Sequence, residues 1–313
     1  MAAANKPRIG WLGTGRMGFD MARRLAKGGC DISVWNRTRS KAEPLREYGA
    51  KVVDKASELG GCDIVFSMLA TIDDVNNVIL GKDGLLSGTS ASAKPRLLVE
   101  STSISAEGSA ELRTKLKERG IEMLAAPVSG NAKVVKAGKL SFVVSGPQSA
   151  FEEASPYMKL MGQEASYVGE GDVARFVKIC HNVFLGVVIQ SLCEITVLAE
   201  KAGVPRHAFL DFLNKSVMGS TFSKYKTPAL VNLDFDHVTF TPYLLRKDLD
   251  LGLEAARKNE VPMPLASIAR DLVQAMMGSG LADKDFAALL EQQAKMSGHE
   301  LNSENVVVSD GLS

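Results

Sequence analysis

A glycine-spaced hexapeptide, Gly13-Thr14-Gly15-Arg16-Met17-Gly18, stands between an apolar run over residues 8–12 and a stretch of helical spacing over residues 19–27 that Gly28 and Gly29 stop. The GxGxxG spacing alone is weak evidence. Directly after a strand and at the opening of a helix, however, each glycine has a distinct role. The first makes the tight turn, the second admits a pyrophosphate, and the third lets helix and strand approach closely. Phosphates so placed meet the positive end of the helix. The other reading is a glycine turn in an unrelated α/β domain; the flanking strand and helix favour a dinucleotide held by Gly13, Thr14, Gly15, Arg16, Met17 and Gly18.

Further strand-like runs follow at residues 31–35, 64–69, 97–100, 121–125 and 140–145, separated by helical stretches such as 40–48 and 106–119. That alternation predicts an α/β fold with a doubly wound parallel sheet of the Rossmann type. Near residue 168 the texture changes. Residues 173–202 read as one long helix with Phe176, Cys180, Val183, Phe184, Val187, Val188 and Ser191 along one face. No strand signal follows, and helices are predicted over 205–215, 244–258 and 265–277, the last two separated by Pro262 and Pro264. The expected organisation is a Rossmann domain over 1–167, an all-helical domain over 168–301 reached by the long interdomain helix, and a loose polar tail over 302–313. A length of 313 residues suits two such domains.

Composition excludes several classes. With 37 Lys+Arg against 36 Asp+Glu, a net charge of +1 supplies no overall field for nucleic acid or an anionic membrane. Cys30, Cys62, Cys180 and Cys193 form no CxxC pair and no metal-ligand spacing with the four histidines, so neither a metal nor a disulfide framework is expected. The opening residues, which lack a charged segment followed by an apolar one, lead us to expect no targeting segment, and no uninterrupted apolar stretch of ~18 residues follows. A cytoplasmic protein is expected.

About 20 residues beyond the glycines, where an acidic residue often holds the ribose hydroxyls of NAD, the chain has Asn36, Arg37 and Thr38 followed by Arg39. A carboxylate there would repel the 2′-phosphate of NADP. Neutral Asn36, a hydrogen-bonding Thr38 and the planar cation of Arg37 favour it, so NADPH is expected over NADH. The alternative is solvated surface charge.

The segment over residues 9–18, Ser101-Thr102-Ser103, the stretch over 126–130, Lys178 with Asn182, and Lys247-Asp248-Leu249 together resemble the β-hydroxyacid dehydrogenase family, the 3-hydroxyisobutyrate dehydrogenase-like enzymes, over nearly the full length. The stretch from Trp35 to Thr38 is most similar to the NADPH-using branch that includes glyoxylate and succinic semialdehyde reductases. The resemblance implies interconversion of a small 3-hydroxy acid and its aldehyde or keto acid, with Lys178 as general acid and base and Asn182 orienting the substrate oxygen. These two lie four residues apart, on one helical face, and a lysine that loses hydration in a cleft has its pKa lowered towards neutrality.

The resemblance also implies a substrate carboxylate on Ser129, Gly130 and Asn131, Thr102 beside the nicotinamide ring, Met68 and Leu69 over the ribose and adenosine, and Lys247 closing over cofactor or substrate. It further implies a homodimer or homotetramer. Asn131 stands where the family commonly has a second glycine, and Asp172 and Ala174 stand where it has the glycines before the lysine. Asp172 could cap the helix or select among charged substrates. Three rivals remain: an imine reductase-like enzyme, which generally lacks the lysine, a decarboxylating 6-phosphogluconate dehydrogenase, whose chain is typically much longer, and a non-catalytic NADP-binding module.

Overall fold

The computed structural model describes residues 6–87 and 94–312. Residues 1–5, most of the chain start read above for a targeting segment, lie outside that range. Two compact units form, Met1–Lys178 and Ile179–Ser313.

In the first unit the apolar runs become strands because burial on both faces of a parallel sheet favours continuous apolar sequence. β1 (Ile9–Leu12), with every residue buried, leads through Gly13 into α1 (Gly18–Lys27), and β2 (Ile32–Trp35) and β3 (Lys51–Val52) follow. β4 (Ile64–Ser67), α2 (Ile72–Leu80), β5 (Leu97–Glu100), α3 (Ala106–Lys117) and β6 (Glu122–Ala125) complete the parallel part. After these come β7 (Val128–Ser129), α4 (Ala132–Lys136), β8 (Ser141–Ser145), α5 (Gln148–Met161) and β9 (Glu164–Gly169).

The strand order is β3-β2-β1-β4-β5-β6-β8-β7, with β9 also on β8. The winding direction therefore reverses between β1 and β4, the place where an open α/β sheet binds ligands. Leu12 is level with Trp35 and Ser67, Ser67 with Glu100, and Glu100 with Ala125. Gly13, Asn36, Met68, Ser101 and Ala126 consequently leave the sheet along one edge.

Two details depart from the expectation. The sheet is mixed at its far edge, where β8 runs antiparallel to β6 and β7. Residues 40–48 do not form an α-helix but 3₁₀ turns, Arg39–Lys41 and Glu43–Tyr48, the second closed by Gly49 at φ 91°. The first compact unit runs on past residue 167, to Lys178. The amide of Ala174 donates to Ser145 Oγ (3.0 Å) and the Arg175 side chain is buried against β5, so the first turns of the long helix belong to the first unit.

That helix, α6 (Val173–Lys201), continues into the second unit, which holds α7 (Arg206–Lys215), α8 (Thr221–Asn232), α9 (Pro242–Lys258), α10 (Pro264–Met276) and α11 (Leu289–Met296). Its buried row is Val183, Ile189, Leu192, Cys193 and Val197, whereas Phe184 is 68% exposed. The predicted face is thus only partly the core face, because apolar residues surround this helix and blur its periodicity. α6 has the length and composition of a membrane-crossing helix, yet half of its most apolar window is buried inside the protein.

The segment expected to be a loose tail is fastened. Glu304 accepts the backbone N–H groups of Arg206 (2.7 Å) and His207 (2.9 Å), capping α7 where Pro205 offers no side chain to do so. Asn232 and Val306 exchange two hydrogen bonds, and Leu301, Val306 and Val308 pack on the helical core.

Candidate functional site

The site begins at the turn after β1. Gly13 lies at φ +96°, and a Cβ there would sit 2.4 Å from the Met68 carbonyl; one on Gly18 would sit 2.1 Å from the Gly13 carbonyl. Both glycines are demanded by the fold itself. Gly15 is different: its φ is not positive and nothing lies within 4 Å of where its Cβ would be, so the fold leaves its backbone open to the close approach of a ligand. Beside it the Thr14 hydroxyl is buried with no hydrogen-bond partner. Arg16 is exposed, Met17 packs partly on the core, and the one acidic residue in the first turn of α1, Asp20, is paired with Arg23 at 2.9 Å. Open space, an orphaned hydroxyl and a helix start fit a dinucleotide pyrophosphate.

At the end of β2 the Asn36 side chain receives the Thr14 N–H on Oδ1 (2.8 Å) and donates from Nδ2 to the Thr38 carbonyl (2.8 Å). It therefore ties the glycine turn to the loop that follows β2. Thr38 is exposed, and the Arg37 side chain is 83% exposed and pairs with Asp74 in the first turn of α2 at 3.1 Å. Arg39 is committed to Glu43 and Asp54 instead. Sequence reasoning missed Asp74, because nothing local announces a pairing across 37 residues.

The ends of β4 and β5 are linked through Thr102, whose Oγ1 accepts the Leu69 N–H (2.9 Å) and whose own N–H donates to Glu100 Oε1 (2.8 Å). Met68 and Leu69 are half-buried, packing partly into the core on either side of the sheet. Arg175, in the first turn of α6, is buried. It donates to the Thr102 carbonyl (2.6 Å), the Glu100 carbonyl (3.2 Å), the Glu100 carboxylate and Ser109 Oγ (3.2 Å).

The Asp172 carboxylate is bound within the first unit. It accepts from Ser109 Oγ (2.5 Å) and from Arg113 Nε and Nη2 (both 3.0 Å). Burial works to raise its carboxyl, but the hydrogen bonds from Arg113 and Ser109 and the nearby guanidinium charges outweigh it and hold the group below the usual carboxylate range.

Around β7, Gly130 lies at φ +139°, and a Cβ there would press on Val134 and Leu140. Asn131 caps α4, its Oδ1 accepting the Val134 N–H (3.1 Å). The extra side chain relative to the family glycine is thus spent on the helix start. Ser129 pairs with Ser141 in the sheet.

Lys178 is half-buried on α6, one turn before Asn182. In the second unit Asn182 is buried; its Nδ2 donates to Asp248 Oδ2 (2.6 Å), and its Oδ1 lies 2.9 Å from His181 Nδ1. Lys247 Nζ lies 3.1 Å from the other oxygen of Asp248. One carboxylate therefore gathers Asn182 and Lys247. Among the described residues no group of His, Cys, Asp and Glu is placed to hold a metal ion. Burial pushes the Cys62 thiol up to about 11, and Cys193 is raised by the same cause, so neither is a ready nucleophile.

Two family models match the chain in succession. The NAD-binding domain of 6-phosphogluconate dehydrogenase covers residues 8–169, and the NAD-binding domain of NADP-dependent 3-hydroxyisobutyrate dehydrogenase covers 169–292. Glyoxylate/succinic semialdehyde reductase 2 of Arabidopsis thaliana is 31% identical over 90% of this chain and 78% of its own length. An NAD-dependent L-serine dehydrogenase of Pseudomonas aeruginosa is 29% identical over 90% of this chain and 96% of its own. Among solved structures, the 3-hydroxyisobutyrate dehydrogenase of Mycobacterium tuberculosis with L-serine is 28% identical, with a TM-score of 0.75 over 92% of this chain and 99% of that one.

Proposed function

Because the chain belongs to the β-hydroxyacid dehydrogenase family, and so is an NAD(P)-dependent oxidoreductase of hydroxyacids, we propose that it prefers NADP and interconverts a small 3-hydroxy acid with its aldehyde or keto acid. When bound, the nicotinamide ring supplies or takes up the hydride. The remaining work falls to this chain's residues. Gly13, Thr14, Gly15, Arg16, Met17 and Gly18 hold the pyrophosphate. Asn36, Arg37 and Thr38 take the 2′-phosphate, and Met68, Leu69, Thr102 and Lys247 position the rest.

Lys178 gives a proton to the substrate oxygen in reduction and takes it back in oxidation. Asn182, whose Nδ2 has a second hydrogen beyond the one given to Asp248, orients that oxygen. Ser129, Gly130 and the Asn131 backbone, together with Thr102 and Lys247, hold the substrate. The observation that carries this reading is the grouping on α6 and α9: an amine one turn from an amide, with Asp248 holding that amide and a second amine.

The test is turnover of a panel of small hydroxy acids and semialdehydes followed by NADPH absorbance, with NADH in parallel. NADPH should give the faster rates, and equal or better rates with NADH would remove the role given to Asn36 and Arg37. Lys178→Met should lower kcat by about 10²- to 10⁴-fold; unchanged turnover would end the proton-transfer assignment. We further propose a homodimer or homotetramer, supported by Phe184 and Leu198 of α6, 68% and 69% exposed, and tested by light scattering, and a cytoplasmic location, tested by cell fractionation.

A further inference from the structure

We propose that the buried Glu100–Arg175 ion pair is a positioning device for the nicotinamide end of the site, holding the Thr102 peptide and the opening turns of α6, which carries Lys178, as one piece. The inference deepens the function proposed above and rests on it. The two side chains are 0% and 1% exposed. Taking both charges out of water is costly, and apolar residues of similar size commonly serve stability as well or better. What the pair holds supplies the reason for it.

Glu100 Oε1 accepts the Thr102 N–H, Arg175 Nη1 reaches the Thr102 carbonyl, and Thr102 Oγ1 accepts the Leu69 N–H, so the N–H, C=O and hydroxyl of this one residue are each fixed. Arg175 and Lys178 are three residues apart on α6, hence neighbours on its surface. The helix entrance is further pinned by Ser109 and Arg113 on Asp172, by Arg113 Nη2 on the Gly171 carbonyl (2.8 Å), and by Ser145 Oγ on that same carbonyl (2.9 Å).

Topology says which half of a dinucleotide this clamp serves. Asn36, Arg37 and Thr38 leave the sheet from β2, on one side of β1, whereas Thr102 leaves it from β5 on the other. The two halves of a dinucleotide lie on opposite sides of the switch point. The clamp therefore belongs to the half away from the 2′-phosphate.

The experiment compares wild type with Arg175→Lys, which keeps the charge but loses the fork that reaches Glu100 and Thr102 together. Ser109→Ala, which removes only the Arg175 Nε contact and one bond to Asp172, is the milder second variant. Binding of NADPH and of 2′,5′-ADP, which lacks the nicotinamide half, is measured by titration calorimetry, with NADH and ADP as a parallel pair.

Arg175→Lys should weaken NADPH binding about threefold to tenfold while 2′,5′-ADP binding stays within about twofold. On an active substrate kcat should fall about tenfold to a hundredfold. Ser109→Ala should show the same pattern at smaller size, which keeps the test open if Arg175→Lys does not fold. Equal weakening of both ligands, or of neither, would overturn the inference. A wild type that binds the NADH and ADP pair more tightly would overturn only the NADP preference, and the variant ratio is then read on that pair. A wild type that binds nucleotide but turns over no substrate would overturn the proposed reaction while leaving the binding ratio to judge the clamp. A wild type that binds no nucleotide at all would overturn both.

Discussion

Arg37 and Arg175 serve the same edge of the same sheet and could hardly differ more in circumstance. The Arg37 side chain is 83% exposed and meets one carboxylate, Asp74. The Arg175 side chain is 1% exposed and meets Glu100 twice, Thr102 and Ser109. In water a guanidinium keeps its hydration and exchanges partners at little cost; in a dry interior, leaving a partner means stranding a charge. Exposure, more than residue type, separates an arginine that can receive a ligand from one that holds the framework around it.

The contrast should appear first in stability. Arg175→Met leaves the Glu100 carboxylate buried without its counter-ion and should cost about 3–5 kcal/mol. Arg37→Ser should stay within about 0.5 kcal/mol of wild type. Urea denaturation of the two variants measures both, and coincident unfolding curves would erase the distinction drawn between the two sites.

Ligand binding should then reverse the ranking. Arg37→Ser removes the charge-assisted hydrogen bonds proposed above for a 2′-phosphate, worth about 1.5–3 kcal/mol, and should raise the Kd for NADPH roughly tenfold to a hundredfold. NADH, which has no such phosphate, should bind the variant and wild type alike. Because the site is exposed, added salt should weaken NADPH binding to wild type and narrow the gap. A Kd that moves equally for both nucleotides would mean that Arg37 shapes the loop rather than reading the phosphate.

The same contrast marks how far sequence carries. β1, β2, β4, β5, β6 and β8 are short apolar runs bounded by turns, and the glycine turn is local, so both were legible. β9 was not, because its residues alternate between buried and exposed and include Glu164 and Ser166; nor was β7, with two residues. Arg37 stood out because it occupies a position where charge has a known consequence. Arg175 did not, since its partner lies 75 residues away and meets it only once the sheet is assembled. Fastening of residues 302–308 escaped for a similar reason, as the cap that Glu304 provides spans nearly a hundred residues, 98 to Arg206. Lys178 and Asn182 carried weight through family resemblance; periodicity alone would have left them an amine and an amide on a long helix.

The network behind Arg175 should also show in acid. Asp172 is held below the ordinary carboxylate range, so around and below pH ~4 the unfolded chain binds a proton that the folded chain refuses. Its stabilising contribution is therefore complete above that range and lost as pH falls through the depressed folded value. Asp285 and Glu304 are depressed in the same direction and add to the slope. Asp172→Asn should lower stability at neutral pH and make its decline in acid shallower, as thermal unfolding from pH 7 to pH 3 would report. An unchanged acid limb would place the titration elsewhere.

The smallest effect concerns Asp74, the carboxylate beside the exposed arginine. Its Oδ2 accepts from Thr71 Oγ1 (3.0 Å) while its Oδ1 meets Arg37, so in the proposed 2′-phosphate site it would compete for the guanidinium. An exposed pair of this kind is worth about 0.2–1 kcal/mol. Asp74→Asn keeps the shape, removes the competing charge, and should tighten NADPH binding by up to about fivefold with NADH unmoved. Weaker NADPH binding in that variant would mean that the carboxylate orients Arg37 for the phosphate, and the exposed arginine would then be less free to exchange partners than its surroundings imply.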